Sequence, residues 1–149
     1  TIIPDLPMEE ADQWIKAANA HGLANILLVA PNTPPDRVRK IAEATQGFLY
    51  YVSVTGITGA RSQLPPELAH GLEGIKGLTN KPIAVGFGIS QPAQVSMLSA
   101  VTDGIIVGSA IVKIIEANTI KQGSELKAGP ELIKKVGEFV GGLKKATRT

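Results

Sequence analysis

Ile83-Ala84-Val85-Gly86-Phe87-Gly88-Ile89-Ser90 is an apolar run that ends in Gly-Phe-Gly, with Gln91 and Pro92 next. A short unbroken apolar run is what a strand buried on both faces requires. Ser90 reads as the N-cap of a following helix and Pro92 as a first-turn residue. The stretch thus predicts strand, turn, helix. Glycine in that turn reaches positive φ and lets backbone approach a ligand closely. It equally serves a tight turn that holds nothing.

The same grammar extends in both directions. Ile26-Leu27-Leu28-Val29-Ala30, Phe48-Leu49-Tyr50-Tyr51-Val52 and Gly104-Ile105-Ile106-Val107 are further short apolar runs. Between them lie helical patterns. Residues 8–21 carry Ala11, Trp14, Ile15 and Ala18 at helical spacing, which predicts Trp14 in the core. Residues 34–44 carry Val38, Ile41 and Ala42, and 65–78 carry Leu68, Leu72 and Ile75. A helix over 92–100 follows Ser90. A last helix over about 130–145 is expected to turn Leu132, Val136, Phe139, Val140 and Leu143 inward. Residues 119–129 read as a polar, mobile connection.

Strands alternating with helices mean an α/β fold with a parallel sheet and crossover helices. An open doubly wound sheet and a β/α barrel compete. The barrel gains weight because glycine and hydroxyl residues recur after successive strands, and a barrel gathers those loops on one face. Four strands plus a stub at Thr1-Ile2-Ile3 amount to about half of a (β/α)8 TIM barrel, a single domain over 1–149 with no linker. A chain that starts at Thr1 within a strand end, without Met, reads as a fragment lacking an N-terminal part.

Composition narrows the function classes. The net charge is +2, aromatic residues are 4%, and the one basic cluster is Lys134, Lys135, Lys144, Lys145 and Arg148. A nucleic-acid site wants a basic stripe with stacking aromatics, so this cluster reads as a solvated helix face that suits the helix dipole. The absence of cysteine excludes thiol catalysis and thiolate zinc sites. His21 and His70 stand far apart, with no metal-ligand spacing. No run approaches the length of a membrane span. A cytoplasmic location fits.

Thr55-Gly56-Ile57-Thr58-Gly59-Ala60 follows one strand, Gly86-Phe87-Gly88 the next, and Gly108-Ser109-Ala110 the last, where a short apolar helix begins. In barrels, the loops after the final strands and a short extra helix hold phosphate through backbone N–H groups. That predicts a phosphate site needing no lysine. The G-x-G-x-x-G dinucleotide pattern is absent. Tyr50 alternates with Phe48 and Val52 and is predicted to face the barrel interior, with Tyr51 facing the helices. Asp103 reads as structural and Arg61 as exposed. Asp5, between Pro4 and Leu6, reads as a turn or partner-contact residue before a catalytic acid. Acid–base chemistry needs two titratable groups at the reacting atoms, and these loops supply no carboxylate pair.

"DLPMEEA" (5–11), "YYVSVTGITGAR" (50–61), "VGFGIS" (85–90) and "IIVGSAIVKIIE" (105–116), in this order, closely resemble the α subunit family of tryptophan synthase. The resemblance covers the whole chain. It implies a TIM barrel that cleaves indole-3-glycerol phosphate to indole and glyceraldehyde 3-phosphate, a lyase reaction of tryptophan biosynthesis. It implies assembly of two α with two β subunits, pyridoxal phosphate belonging to the β subunit and no cofactor to this chain. It implies that Thr58, Gly59, Gly88, Gly108 and Ser109 surround the phosphate, that Tyr50 lines the pocket and that Phe87 lies beside the indole ring. The loop 53–64 would be a lid, and Asp5, Pro31 and Asn32 would face the β subunit.

The family's catalytic Glu and Asp have no counterpart here, so the chain alone is expected to be inactive. Two open sheet edges lead to the expectation that it dimerises, aggregates or stays partly unfolded. The alternatives are a non-catalytic half-barrel that binds phosphate or docks a β subunit, and another phosphate-handling barrel, which the Thr-Gly-Ile-Thr-Gly-Ala loop argues against.

Overall fold

The computed structural model describes residues 1–53, 66–86, 88–122 and 125–148. A 3-10 turn, Met8–Glu10, leads into α1 (Asp12–Ala20). Then come β1 (Leu28–Val29), α2 (Pro35–Ala44), β2 (Leu49–Val52), α3 (Pro66–Lys76), β3 (Ile83–Gly86), α4 (Pro92–Ser99) and β4 (Gly104–Ile106). The chain goes on through α5 (Ser109–Ala117), β5 (Thr119–Gln122), β6 (Glu125–Ala128) and α6 (Leu132–Ala146).

The four strands form one parallel sheet in the order β1-β2-β3-β4, and Ile2 adds a parallel bridge to Ile26 at the β1 edge. The order never reverses. Right-handed crossovers that always step the same way put every helix on one face, which is barrel winding; a doubly wound sheet needs a reversal.

Register divides the sheet into two faces. Val29, Tyr51 and Val85 lie in one row, with Leu49 and Ile83 paired two positions earlier, and all five are buried under the helices. They share a core with Val38 and Ile41 of α2, Leu68, Leu72 and Ile75 of α3, Val95 and Leu98 of α4, and Leu143 of α6. The opposite face carries Leu28, Tyr50, Ala84 and Gly104 in register, then Val52, Gly86 and Ile106. Among the described residues, no helix covers that interior face.

Four expectations are corrected. Trp14 is 39% exposed; the buried residues here are Ala18 of α1 and the N-cap residue Ala11, because the sheet beside this helix narrows to the single Ile2 bridge. The helix after β3 is capped at Gln91 rather than Ser90, and the Gln94 side chain accepts the Ser90 and Gln91 amides at 2.8 and 2.9 Å. Residues 119–129 contain the antiparallel pair β5–β6. In α6, Leu143 and Ala146 are buried while Val140 is 43% exposed, because no strand lies beyond β4 to cover it.

Candidate phosphate-binding rim

The C-terminal ends of β2, β3 and β4 lie side by side, because Val52 pairs with Gly86 and Gly86 with Ile106. The next residues rise from one rim. Ser53 donates its amide to the Gly86 carbonyl at 3.2 Å and is buried. Gly88 has φ +71°, a left-handed conformation that glycine adopts at little cost. Gly108 precedes α5 as its N-cap residue, and the Ile111 and Val112 amides return to the Gly108 carbonyl at 2.9 and 3.1 Å. The amides of Ser109 and Ala110 precede the first intrahelical bond, so this helix start presents donors and a partial positive charge. A β-carbon on Gly108 would meet no atom of the described residues within 4 Å, so among them the backbone there is open to approach.

The three glycines therefore have separate reasons. Gly88 meets a backbone need and Gly108 leaves open space. Gly86 makes room for Tyr50: a β-carbon there would collide with the Tyr50 hydroxyl and lie 2.6 Å from its Cζ. Tyr50 lies on the interior face, as the alternation predicts, flanked in register by Leu28 and Ala84. Burial holds its phenol above the ordinary tyrosine pKa, so it stays protonated at neutral pH. Tyr51 points the other way, its hydroxyl close against Gly71 of α3.

Gly88, Gly108, Ser109 and Tyr50 thus share one end of the sheet. Thr58, Gly59 and Phe87, and with them Arg61 and most of the loop 53–64, lie outside the described residues. Asp103 is structural: its carboxylate accepts the Ile83 amide at 2.8 Å, at the opposite end of the strands.

Asp5 sits exposed in the turn that the Leu6 amide closes onto the Ile3 carbonyl at 3.3 Å. Pro31 and Asn32 are exposed in a second turn, closed by the Thr33 amide on the Ala30 carbonyl at 2.9 Å. Pro4, Leu6, Pro7 and Thr33 line one small cavity of about 140 Å³, so the two turns are neighbours. Arg37 reaches from α2 to Glu9 through paired hydrogen bonds, the Nη2–Oε2 one at 2.8 Å, and that contact holds the Glu9 carboxyl below its ordinary pKa. Sequence reasoning missed this clamp, because Glu9 and Arg37 are apart in sequence and follow no spacing rule.

Among the described residues, no group of three or more His, Cys, Asp or Glu side chains is gathered as metal ligands would be. No helix among them is long and apolar enough to cross a membrane. A cavity of about 550 Å³ lies between β4, α4, α5 and α6, with Val107 and Ile111 in its wall.

Comparison with known proteins agrees with this architecture. The family model described as tryptophan synthase alpha chain matches residues 1–147. The tryptophan synthase alpha chain of Gloeobacter violaceus is 45% identical over 149 residues, 99% of this chain and 51% of that protein. The one from Carboxydothermus hydrogenoformans is 47% identical over 132 residues, 89% of this chain and 49% of that protein. Among solved structures, Mycobacterium tuberculosis tryptophan synthase superposes with a TM-score of 0.78 at 34% identity, over 99% of this chain and 51% of that one. A chain from the Pyrococcus furiosus tryptophan synthase α2β2 complex gives 0.79 at 34% identity, over 97% and 54%. The chain spans about half the length of the relatives it matches. Its parallel, unreversed sheet is accordingly half of a TIM barrel, and the chain belongs to the tryptophan synthase alpha chain family.

Proposed function

We propose that this chain supplies the phosphate-holding half of a lyase site in tryptophan biosynthesis, where the whole α subunit cleaves indole-3-glycerol phosphate to indole and glyceraldehyde 3-phosphate. The observation that carries the reading is the juxtaposition of Gly88 at positive φ with the Gly108–Ser109 start of α5 on one rim. Such a rim grips an oxyanion through peptide N–H groups, with no cation required. Thr58, Gly59 and Phe87 complete the site in this reading, Thr58 and Gly59 at the phosphate and Phe87 at the indole ring. Tyr50 stands on the interior wall as a protonated phenol, a donor toward the glycerol portion.

The cleavage needs a proton delivered to the indole ring carbon and another removed from the glycerol hydroxyl. In this reading both tasks fall to carboxylates outside this chain, since its strand-end loops carry no carboxylate pair. The exposed turns at Asp5 and at Pro31-Asn32 face a β subunit, which holds the pyridoxal phosphate; the α part works in the cytoplasm without a cofactor of its own. The 149 residues act as one folding unit.

The test is an amide-shift titration with glycerol phosphate. Saturable shifts at Gly88, Gly108 and Ser109, with the tail around Lys144 and Lys145 unmoved, are expected. Silence at the three rim amides removes the site. An indole-release assay on the chain alone is expected to read zero; turnover would place proton-moving groups within these residues.

A further inference from the structure

α5 starts at the rim and ends at Asn118, whose polar groups are all engaged there. Its amide donates to the Ile115 carbonyl at 3.1 Å and its Nδ2 to the Ile114 carbonyl at 2.7 Å. Its Oδ1 accepts Lys135 Nζ of α6 at 2.7 Å, and its carbonyl accepts the Gly129 amide at 2.9 Å. Thr119 donates its hydroxyl to the Ile115 carbonyl at 2.7 Å. The last carbonyls of a helix lack intrahelical partners, and these side chains supply them. The Lys135 ammonium also suits the negative end of the helix dipole.

The β5–β6 pair brings this closure about. Thr119 opposes Ala128, so the next residue, Gly129, returns against Asn118. A β-carbon on Gly129 would lie 2.6 Å from the Asn118 carbonyl oxygen, a backbone atom that cannot swing aside. The Gly129 carbonyl accepts the Leu132 amide at 3.1 Å, which joins the hairpin to the first turn of α6. α6 is seated in turn: Leu143 belongs to the core, and the Ala146 carbonyl accepts the Ser96 hydroxyl of α4 at 3.1 Å. The far end of α5 is thus tied, through Gly129 and Lys135, to a helix fixed on the sheet. Its near end follows β4 through Val107 and Gly108.

We propose that Asn118 and Gly129 are positioning residues for the anion-binding rim. The proposal rests on the phosphate reading of that rim and adds what holds its donors still. Neither residue reaches the rim itself, because α5 rises about 13 Å between Ser109 and Asn118. They act through the helix. Two tied ends set the axis of α5, and the axis sets where the Ser109 and Ala110 amides point. A helix tied at one end only samples a range of axes, and its amides spend less time aimed at the anion. Hydrogen bonds weaken steeply as the donor angle falls toward ~120°, so aim matters as well as distance. Donors fixed beforehand bind more tightly than donors that must be ordered on binding.

Asn118→Ala removes both side-chain ties without changing charge, so weaker anion binding could not come from a lost cation. Gly129→Ala strains the backbone tie. Glycerol phosphate is titrated into the unmodified chain and into each variant, with amide shifts as the readout. Both variants should bind about threefold to tenfold more weakly, with the saturating shift at Ser109 reduced and the one at Gly88 kept. If Gly129→Ala loses its fold by circular dichroism, Asn118→Ala alone decides. An unmodified chain whose rim amides stay silent sinks the phosphate reading and this proposal with it. A responsive unmodified chain with equal affinity in the variants overturns the proposal alone. So do equal losses at Ser109 and Gly88, which would mark general loosening rather than a helix that has lost its aim.

Discussion

Tyr50 and Tyr51 are neighbours with opposite surroundings, and each explains a glycine. The Tyr51 hydroxyl is fully buried and has no hydrogen-bond partner among the described residues, which carries a desolvation cost. A β-carbon on Gly71 would strike that hydroxyl yet clear its Cζ at 3.4 Å. Gly71→Ala is therefore expected to destabilise the chain by about 1–3 kcal/mol in urea unfolding. In a Tyr51→Phe background the penalty should vanish, and alanine's helix propensity should show as a gain of up to about 1 kcal/mol. Gly86→Ala behaves differently. It clashes with the Tyr50 ring itself, so Tyr50→Phe gives no rescue and only a smaller residue does. Equal rescue at both sites would contradict the packing. The pH response follows from the same burial. Desolvation raises the Tyr51 pKa above the ordinary 10.0, so the folded state disfavours tyrosinate. The stability this contributes is whole below pH 10 and drains away as the pH rises through 10.0 toward the folded value. Tyr51→Phe should flatten that alkaline decline in a thermal melt; an unchanged slope would show that Tyr51 is not the titrating group.

At the scale of elements, β3 is fixed by side chains that enter from the segment before β4. Thr102 donates its hydroxyl to the Ile83 carbonyl at 2.6 Å, and Asp103 accepts the Ile83 amide at 2.8 Å while its own amide returns to Ile83 at 3.0 Å. This clamp sets the β3–β4 register and so brings the ends of both strands to one rim. Asp103→Ala strands the Ile83 N–H and is expected to cost about 1–3 kcal/mol. Asp103→Asn keeps an acceptor and should cost clearly less. Chemical denaturation of the two variants measures the difference, and equal losses would remove the hydrogen bond from the account. At the other terminus of β3, the Gln91–Gln94 box anchors the start of α4.

For the whole molecule, the unreversed strand order decides the design. Helices α2, α3, α4 and α6 pack on one face, and the other face, with Tyr50, Ala84, Gly86 and Gly104, becomes an interior wall. β2 and β3 are paired on both sides, while β4 is paired on one and residues 1–3 hang by a bridge. Hydrogen exchange should therefore be slowest at Tyr51 and Val85 and faster at Ile106. Uniform protection across the sheet would mean that the strands open together.

The sequence by itself determined the alternation of strands and helices, the parallel sheet, the opposite facing of Tyr50 and Tyr51, and the structural role of Asp103. Each is written in periods of two or 3.6 residues or in the residues that punctuate them, and such signals act locally. Only the tertiary structure decided that Trp14 and Val140 stand exposed, that Gly86 serves the Tyr50 ring, that Glu9 meets Arg37, and that β5 and β6 pair. A periodic pattern tells which face of an element is apolar. Whether anything arrives to cover that face depends on neighbours far along the chain, and no local period records them.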